Sequence, residues 1–149
     1  MEKIKKILIP TDFSKTSDEA ISYGCNLAQA LKAEVILLHV LEKKEALADE
    51  KFHETQKAMD IQLLLDIPPS VQADIKVEKR IVSGSPLEDI LKTANGEKVD
   101  MIVMRQHYKA GAFHRIKGCL VDKILREAPC PVMTIHKLEE GEKIFNISD

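Results

Sequence analysis

Asp100-Met101-Ile102-Val103-Met104-Arg105 is the stretch that decides the fold. Met101 to Met104 is apolar at every position and does not alternate, so it reads as a strand buried on both faces of a sheet. A loop over residues 105–117 follows, carrying Arg105, Lys109, Arg115 and Lys117 and no acidic residue. A helix is predicted from about Gly118, with Leu120, Val121, Ile124 and Leu125 turned inward. Pro129-Cys130-Pro131 stops it, and Val132-Met133-Thr134-Ile135 is a second apolar strand. A buried strand, a cationic loop and a helix start form the layout of an anion site, because the first turn of a helix offers unpaired N–H groups.

Working upstream, Ser85 takes an N-cap position, Pro86 the first helical position, and Glu88 the spacing that closes a capping box. Leu87, Ile90, Leu91 and Ala94 form that helix's inward stripe, and Asn95-Gly96 ends it. Before it, Ile75, Val77, Lys79 and Ile81 alternate with Lys76, Glu78 and Arg80. A lysine on the otherwise apolar side marks an edge strand. Residues 42–66 are charged and helix-forming, with Phe52, Met59 and Leu63 on one side, and Pro68-Pro69 ends the run. Glu34 to Val40 is a strand whose Val35–Leu38 core does not alternate, and His39 is expected to pair with backbone at its end. The chain opens on a β-branched strand from Ile4 to Ile9, stopped by Pro10. A loop follows, then a helix in which Thr16 and Glu19 have capping-box spacing.

The order is therefore strictly β-α-β-α-β-α-β-α-β. That order predicts a three-layer α/β/α fold around a five-stranded parallel sheet, with right-handed crossovers and helices on both faces. The 149 residues suit one domain, 1–149, in which 137–149 is a polar tail interrupted by Ile144-Phe145. With aromatic residues at 4% and no Trp, the core has to be aliphatic.

A formal charge of −2 and a pI near 6.2 give no electrostatic case for nucleic acid as a partner. No run reaches the ~20 apolar residues of a membrane helix, and the apolar start is too short for a signal-peptide core. The expected location is the cytoplasm. Cys25, Cys119 and Cys130 are odd in number and widely spaced, which suits reduced thiols rather than a disulfide framework. His107, His114 and Cys119 match no zinc spacing, so no metal is assigned. Neither phosphate-loop pattern, G-x-x-x-x-G-K-[ST] or G-x-G-x-x-G, occurs, nor does G-x-S-x-G or H-E-x-x-H, so no motif asserts an enzyme.

In such sheets ligands sit beyond the carboxyl ends of the strands, where strand order reverses. The segments that leave there are Pro10-Thr11-Asp12, His39-Val40, Ser83-Gly84-Ser85 and 105–118. These segments carry a family pattern. Lys6-Ile7-Leu8-Ile9-Pro10-Thr11-Asp12-Phe13-Ser14, Leu38-His39-Val40, Gly84-Ser85-Pro86, Asp100–Met104 and Ala128-Pro129-Cys130-Pro131-Val132 resemble, in this order, the motifs of universal stress proteins.

The resemblance runs from about Lys3 to Ile135. It implies an adenine nucleotide alpha hydrolase-like sheet of order 3-2-1-4-5 and a homodimer through the last strand, Val132, Met133, Thr134 and Ile135. It also implies a nucleotide site for ATP or AMP, with no cofactor required. By resemblance, Pro10, Thr11 and Asp12 lie near ribose and adenine, and Val40 lies near adenine.

Many members hold ATP with a loop G-x2-G-x9-G-[ST] after the fourth strand. Aligned here, its positions fall on Arg105, Tyr108, Gly118 and Cys119, so Gly118 alone is kept. Arg105 and Tyr108 put side chains where backbone approaches phosphate, and Cys119 exchanges a hydroxyl for a weaker donor. The expectation is a regulatory or ligand-sensing protein of the stress response with lost or altered ATP binding. Two readings stand beside it. One is an ATP- or AMP-binding member with weak or no hydrolysis. The other is an interaction module whose basic loop 105–117 docks a protein of unknown identity.

Overall fold

The computed structural model describes residues 3–12, 17–42, 49–106 and 120–135. Five strands form one sheet: β1 (Lys6–Pro10), β2 (Glu34–Glu42), β3 (Val77–Gly84), β4 (Met101–Arg105) and β5 (Val132–Ile135). Among the described residues five helices connect them, two in succession between β2 and β3: α1 (Ser17–Leu31), α2 (Asp49–Asp66), α3 (Pro69–Asp74), α4 (Pro86–Gly96) and α5 (Leu120–Glu127). The strand order is β3-β2-β1-β4-β5 and every pairing is parallel. The expected α/β architecture is therefore present, with β3 at an edge and β4 inside.

Alternation along each strand divides the core into two. Ile7, Ile9, Val35, Leu37 and Val103 face α1, α2 and α3, where Ile21, Met59, Ile67 and Val71 cover them. Leu8, Ile36, Leu38, Ile102 and Met104 face the other way, onto Ile90 and Ala94 of α4 and Val121 and Ile124 of α5. Each fully buried aliphatic side chain contributes roughly 1.5–3 kcal/mol, which is what holds a sheet with so few aromatics. Gly24 lets α1 lie close on β1, since a Cβ there would stand 2.5 Å from Ile9 Cδ1.

Several local expectations change. Helix α4 starts at N-cap Ser85 with Pro86 in its first turn, but the Ser85 N–H donates to Asp89 Oδ2 at 2.8 Å, so Asp89 and not Glu88 closes the cap. The preceding Gly84 is needed for this, because a Cβ there would lie 2.1 Å from that oxygen. Phe52 is exposed on α2, while Thr55 and Gln62 join Met59 and Leu63 on the buried side. Leu120 and Leu125 are likewise exposed on α5, leaving Val121 and Ile124 as its inward residues. Helix α3 is unforeseen. It forms because Pro69 starts a new turn, and the Gln72 amide donates to the carbonyls of Leu63 and Ile67 at the end of α2.

Helices α1 and α4 finish alike. Ala33 N–H donates to Ala28 O at 2.9 Å, and Val99 N–H to Ala94 O at 3.0 Å, which is the bonding of a Schellman stop. The residue in the left-handed conformation is a lysine in both, Lys32 at φ 56° and Lys98 at φ 52°. Gly96 stays inside α4, so Lys98 and not Asn95-Gly96 makes the turn.

Candidate functional site

Strands β1 and β4 lie side by side, and the chain leaves them for opposite faces of the sheet, so the order reverses between them. The carboxyl ends there bring together Pro10, Thr11 and Asp12 of β1 and its exit, His39 and Val40 of β2, and Arg105 and Gln106 of β4 and its exit.

Ladder bonds fix this edge. Thr11 N–H donates to Leu38 O at 2.8 Å, and Gln106 N–H to Ile135 O at 2.8 Å, extending the sheet one residue past β1 and β4. Pro10, with no N–H to give, pairs with Leu38 at the last position of β1. Thr11 is buried, and its hydroxyl turns to Gln62 Oε1 of α2 at 3.4 Å. His39 Nδ1 lies 2.7 Å from Thr11 O; a carbonyl only accepts, so Nδ1 carries the proton. His39 thus pairs with backbone as expected, but from inside the strand, because β2 runs on to Glu42. Val40 packs, half-buried, on the α4 side of the sheet, the side opposite Gln62. Asp12 is exposed at the mouth.

Arg105 is the most informative of these residues. Its side chain is only 6% exposed. Nη1 donates to Ile135 O at 3.0 Å and to Gln106 O at 3.2 Å, and Nε stands 3.8 Å from Glu19 Oε2 of α1. The guanidinium therefore sits at the junction of α1, β4 and β5, with its charge met by Glu19 and two carbonyl dipoles. A charge this deep is stable only with such partners. Arg105 is thus a buried ionic brace at the exit of β4. Tyr108, Gly118 and Cys119 lie outside the described residues, as do Lys109, Arg115, Lys117, His107 and His114.

This end of the sheet thus presents the half-buried Val40, the backbone of Pro10 and Thr11, and the exposed Asp12. Among the described residues, no group of three or more His, Cys, Asp or Glu is placed to hold a metal, and no helix is long and apolar enough to cross a membrane. Burial pushes the Cys25 thiol up to about 12, so that cysteine is inert.

Gln62 and Glu19 are participants that residue pattern alone did not identify. Gln62 had a signal, since it falls three residues after Met59, on the inward side of α2. Glu19 was masked by its capping-box spacing, which offered a complete local explanation.

The chain matches the model of the universal stress protein family over residues 3–136. Two universal stress proteins of Methanocaldococcus jannaschii are similar to it. One is 28% identical over 140 residues, covering 89% of this chain and 82% of the relative. The other, MJ0577, is 29% identical over 155 residues, covering 89% and 95%. A solved structure of MJ0577 is 30% identical, covers 93% of this chain and all of that one, and superposes with a TM-score of 0.71. UspA of Lactobacillus plantarum superposes at 0.73, at 21% identity and over 91% and 99% of the two chains. A universal stress protein solved in complex with cAMP superposes at 0.69, at 18% identity and over 91% and 98%.

Proposed function

Because this chain belongs to the universal stress protein family, we propose that it is a cytoplasmic ligand-sensing or regulatory protein of the stress response, one that keeps a nucleoside-binding half and has altered the triphosphate-binding half. The observation that carries this is the burial of Arg105. A phosphate loop needs bare backbone at its first glycine, so that N–H groups approach the anion. Here that position bears a side chain committed to Glu19, Ile135 and Gln106. With Nη1 turned to the carbonyls of Ile135 and Gln106 and Nε facing Glu19, the side chain supports the role of a brace rather than of an anion hook.

Pro10, Thr11, Asp12 and Val40 are assigned the nucleoside, and Gly118 and Cys119 what remains of the phosphate end. Arg105 and Tyr108 are assigned the change in phosphate affinity. Solved universal stress proteins in complex with cAMP and with dAMP supply the probes to try first. The same reading pairs two copies through β5. In support, β5 is an edge strand whose Val132, Met133, Thr134 and Ile135 are all half-buried in the single chain, and Tyr23 stands 54% exposed.

One preparation tests both parts. Mass spectrometry of the purified protein is expected to find no near-stoichiometric ATP, and sedimentation to find a dimer. Stoichiometric ATP contradicts the altered site, and a monomer contradicts pairing through β5.

A further inference from the structure

We propose that the amino-terminal edge of the sheet, opposite the candidate nucleotide site, is a docking surface for an acidic polypeptide segment of a partner protein. An open depression of about 1100 Å³ lies there, among the starts of the strands and the ends of α1, α3 and α4. Six lysines and four carboxylates line it, in a protein whose overall charge is −2.

The carboxylates are all engaged from within. Asp100 Oδ2 accepts from the N–H groups of Lys5 and Lys6 at 2.9 and 3.0 Å. Asp74 accepts from the Gln29 amide at 2.9 Å. Glu34 pairs with Lys6 at 3.4 Å and Lys76 at 4.0 Å, and Glu97 with Lys6 at 3.4 Å and Arg80 at 2.8 Å. Lys3, Lys5, Lys32 and Lys98 are exposed and carry no ion pair among the described residues, so the acids are used and the surplus charge is cationic.

Backbone conformation adds a second observation. Lys32 and Lys98 each occupy the left-handed stop of a helix, where glycine is favoured and a Cβ costs about 1 kcal/mol. Two helices that end independently both carry that cost with a lysine, and both lysines line one depression.

The chemistry selects an extended acidic chain over a compact polyanion. The lysines are point charges on flexible stems, not a fork or a nest of N–H groups. Helices α1, α3 and α4 all bring their carboxyl ends to this edge, and those ends repel a concentrated negative charge placed deep among them. A peptide with carboxylates spread along its length meets the lysines one by one at the rim.

Fluorescence anisotropy with a labelled oligoglutamate peptide tests this on the full chain. Binding is expected in about 20 mM salt and its loss in about 300 mM. Lys32→Gly with Lys98→Gly should weaken it about fivefold or more while the melting temperature stays at or above that of the parent. Lys57→Gln with Lys123→Gln removes the same charge elsewhere and should leave binding unchanged. Absent binding at low salt, or equal losses in the two double variants, overturns the proposal. So does inorganic tripolyphosphate binding more tightly than the peptide with the same dependence on Lys32 and Lys98, which assigns the depression to a small anion.

Discussion

Arg105 joins three elements through one side chain. By spacing it replaces a glycine; by position it ties the end of β4 to the carbonyl end of β5 and to Glu19 of α1. Arg105→Ala removes the donors from Ile135 O and Gln106 O. Because Glu19 is itself 39% exposed and regains water, the cost should sit below that of a fully buried pair, at about 2–3 kcal/mol. For a chain of this length that is a fall of about 5–10 °C in the melting temperature, read by thermal unfolding. A shift under a degree or two would mean that the brace is not structural. Sequence spacing exposed the missing glycine but not the direction of the arginine. That direction depends on Glu19, 86 positions away, and on a strand end that no local pattern connects to it.

At the scale of elements, the strands were legible because their composition is unambiguous. Met101–Met104, Val35–Leu38 and Ile7–Ile9 are apolar runs flanked by charge or proline, and the strict alternation with helices leaves few topologies. Helix faces were less legible. A helical wheel gives the direction of the inward arc but not its width, so Leu120, Leu125 and Phe52 were placed inside and lie exposed. Helix α3 was missed because six residues between a proline pair and a strand carry no period; its anchor is the Gln72 amide. The start of α4 offers a test at this scale. Asp89→Ala should cost about 1 kcal/mol through the lost cap at Ser85 N–H. Gly84→Ala should cost more alone than in the Asp89→Ala background, because the clash it creates is with the Asp89 carboxylate. Denaturant midpoints of the four proteins in that cycle check it, and strict additivity would contradict it.

At the scale of the whole molecule, the two edges of the sheet differ in kind. The amino edge is stitched by Lys6, Glu34, Glu97 and Arg80 across β1, β2, β3 and the exit of α4. The hydrogen bond from Arg80, followed by that from Lys6, holds the Glu97 carboxyl below its ordinary 4.5. A carboxylate lowered on folding contributes stability above its unfolded pKa and loses it as pH falls through the folded one. Burial works to lower the Lys6 pKa, but hydrogen bonds to Glu97 and Glu34 outweigh it and the group is raised, so its contribution is lost only in strong alkali. Glu97→Gln should therefore be less stable than the parent at pH 7, with the gap closing below about pH 4.5 as the parent's carboxylate protonates. Urea unfolding between pH 7 and pH 3 checks this, and a gap constant over that range contradicts it.

The carboxyl edge carries the ligand reading, and half of it was legible. Pro10 and Thr11 leave the sheet beside Leu38, two residues before Val40, while the partners of Thr11 and Arg105 come from α2 and α1, distant in sequence. Calorimetric titration of the nucleotide-free protein with AMP and then ATP separates the proposed nucleoside half of the site, kept in this chain, from the proposed phosphate half, changed in it. The two added phosphates are expected to bring no gain, with ATP binding no more tightly than AMP. ATP binding tenfold or more tightly than AMP, a gain of about 1.4 kcal/mol, would show a working phosphate loop and contradict that proposal.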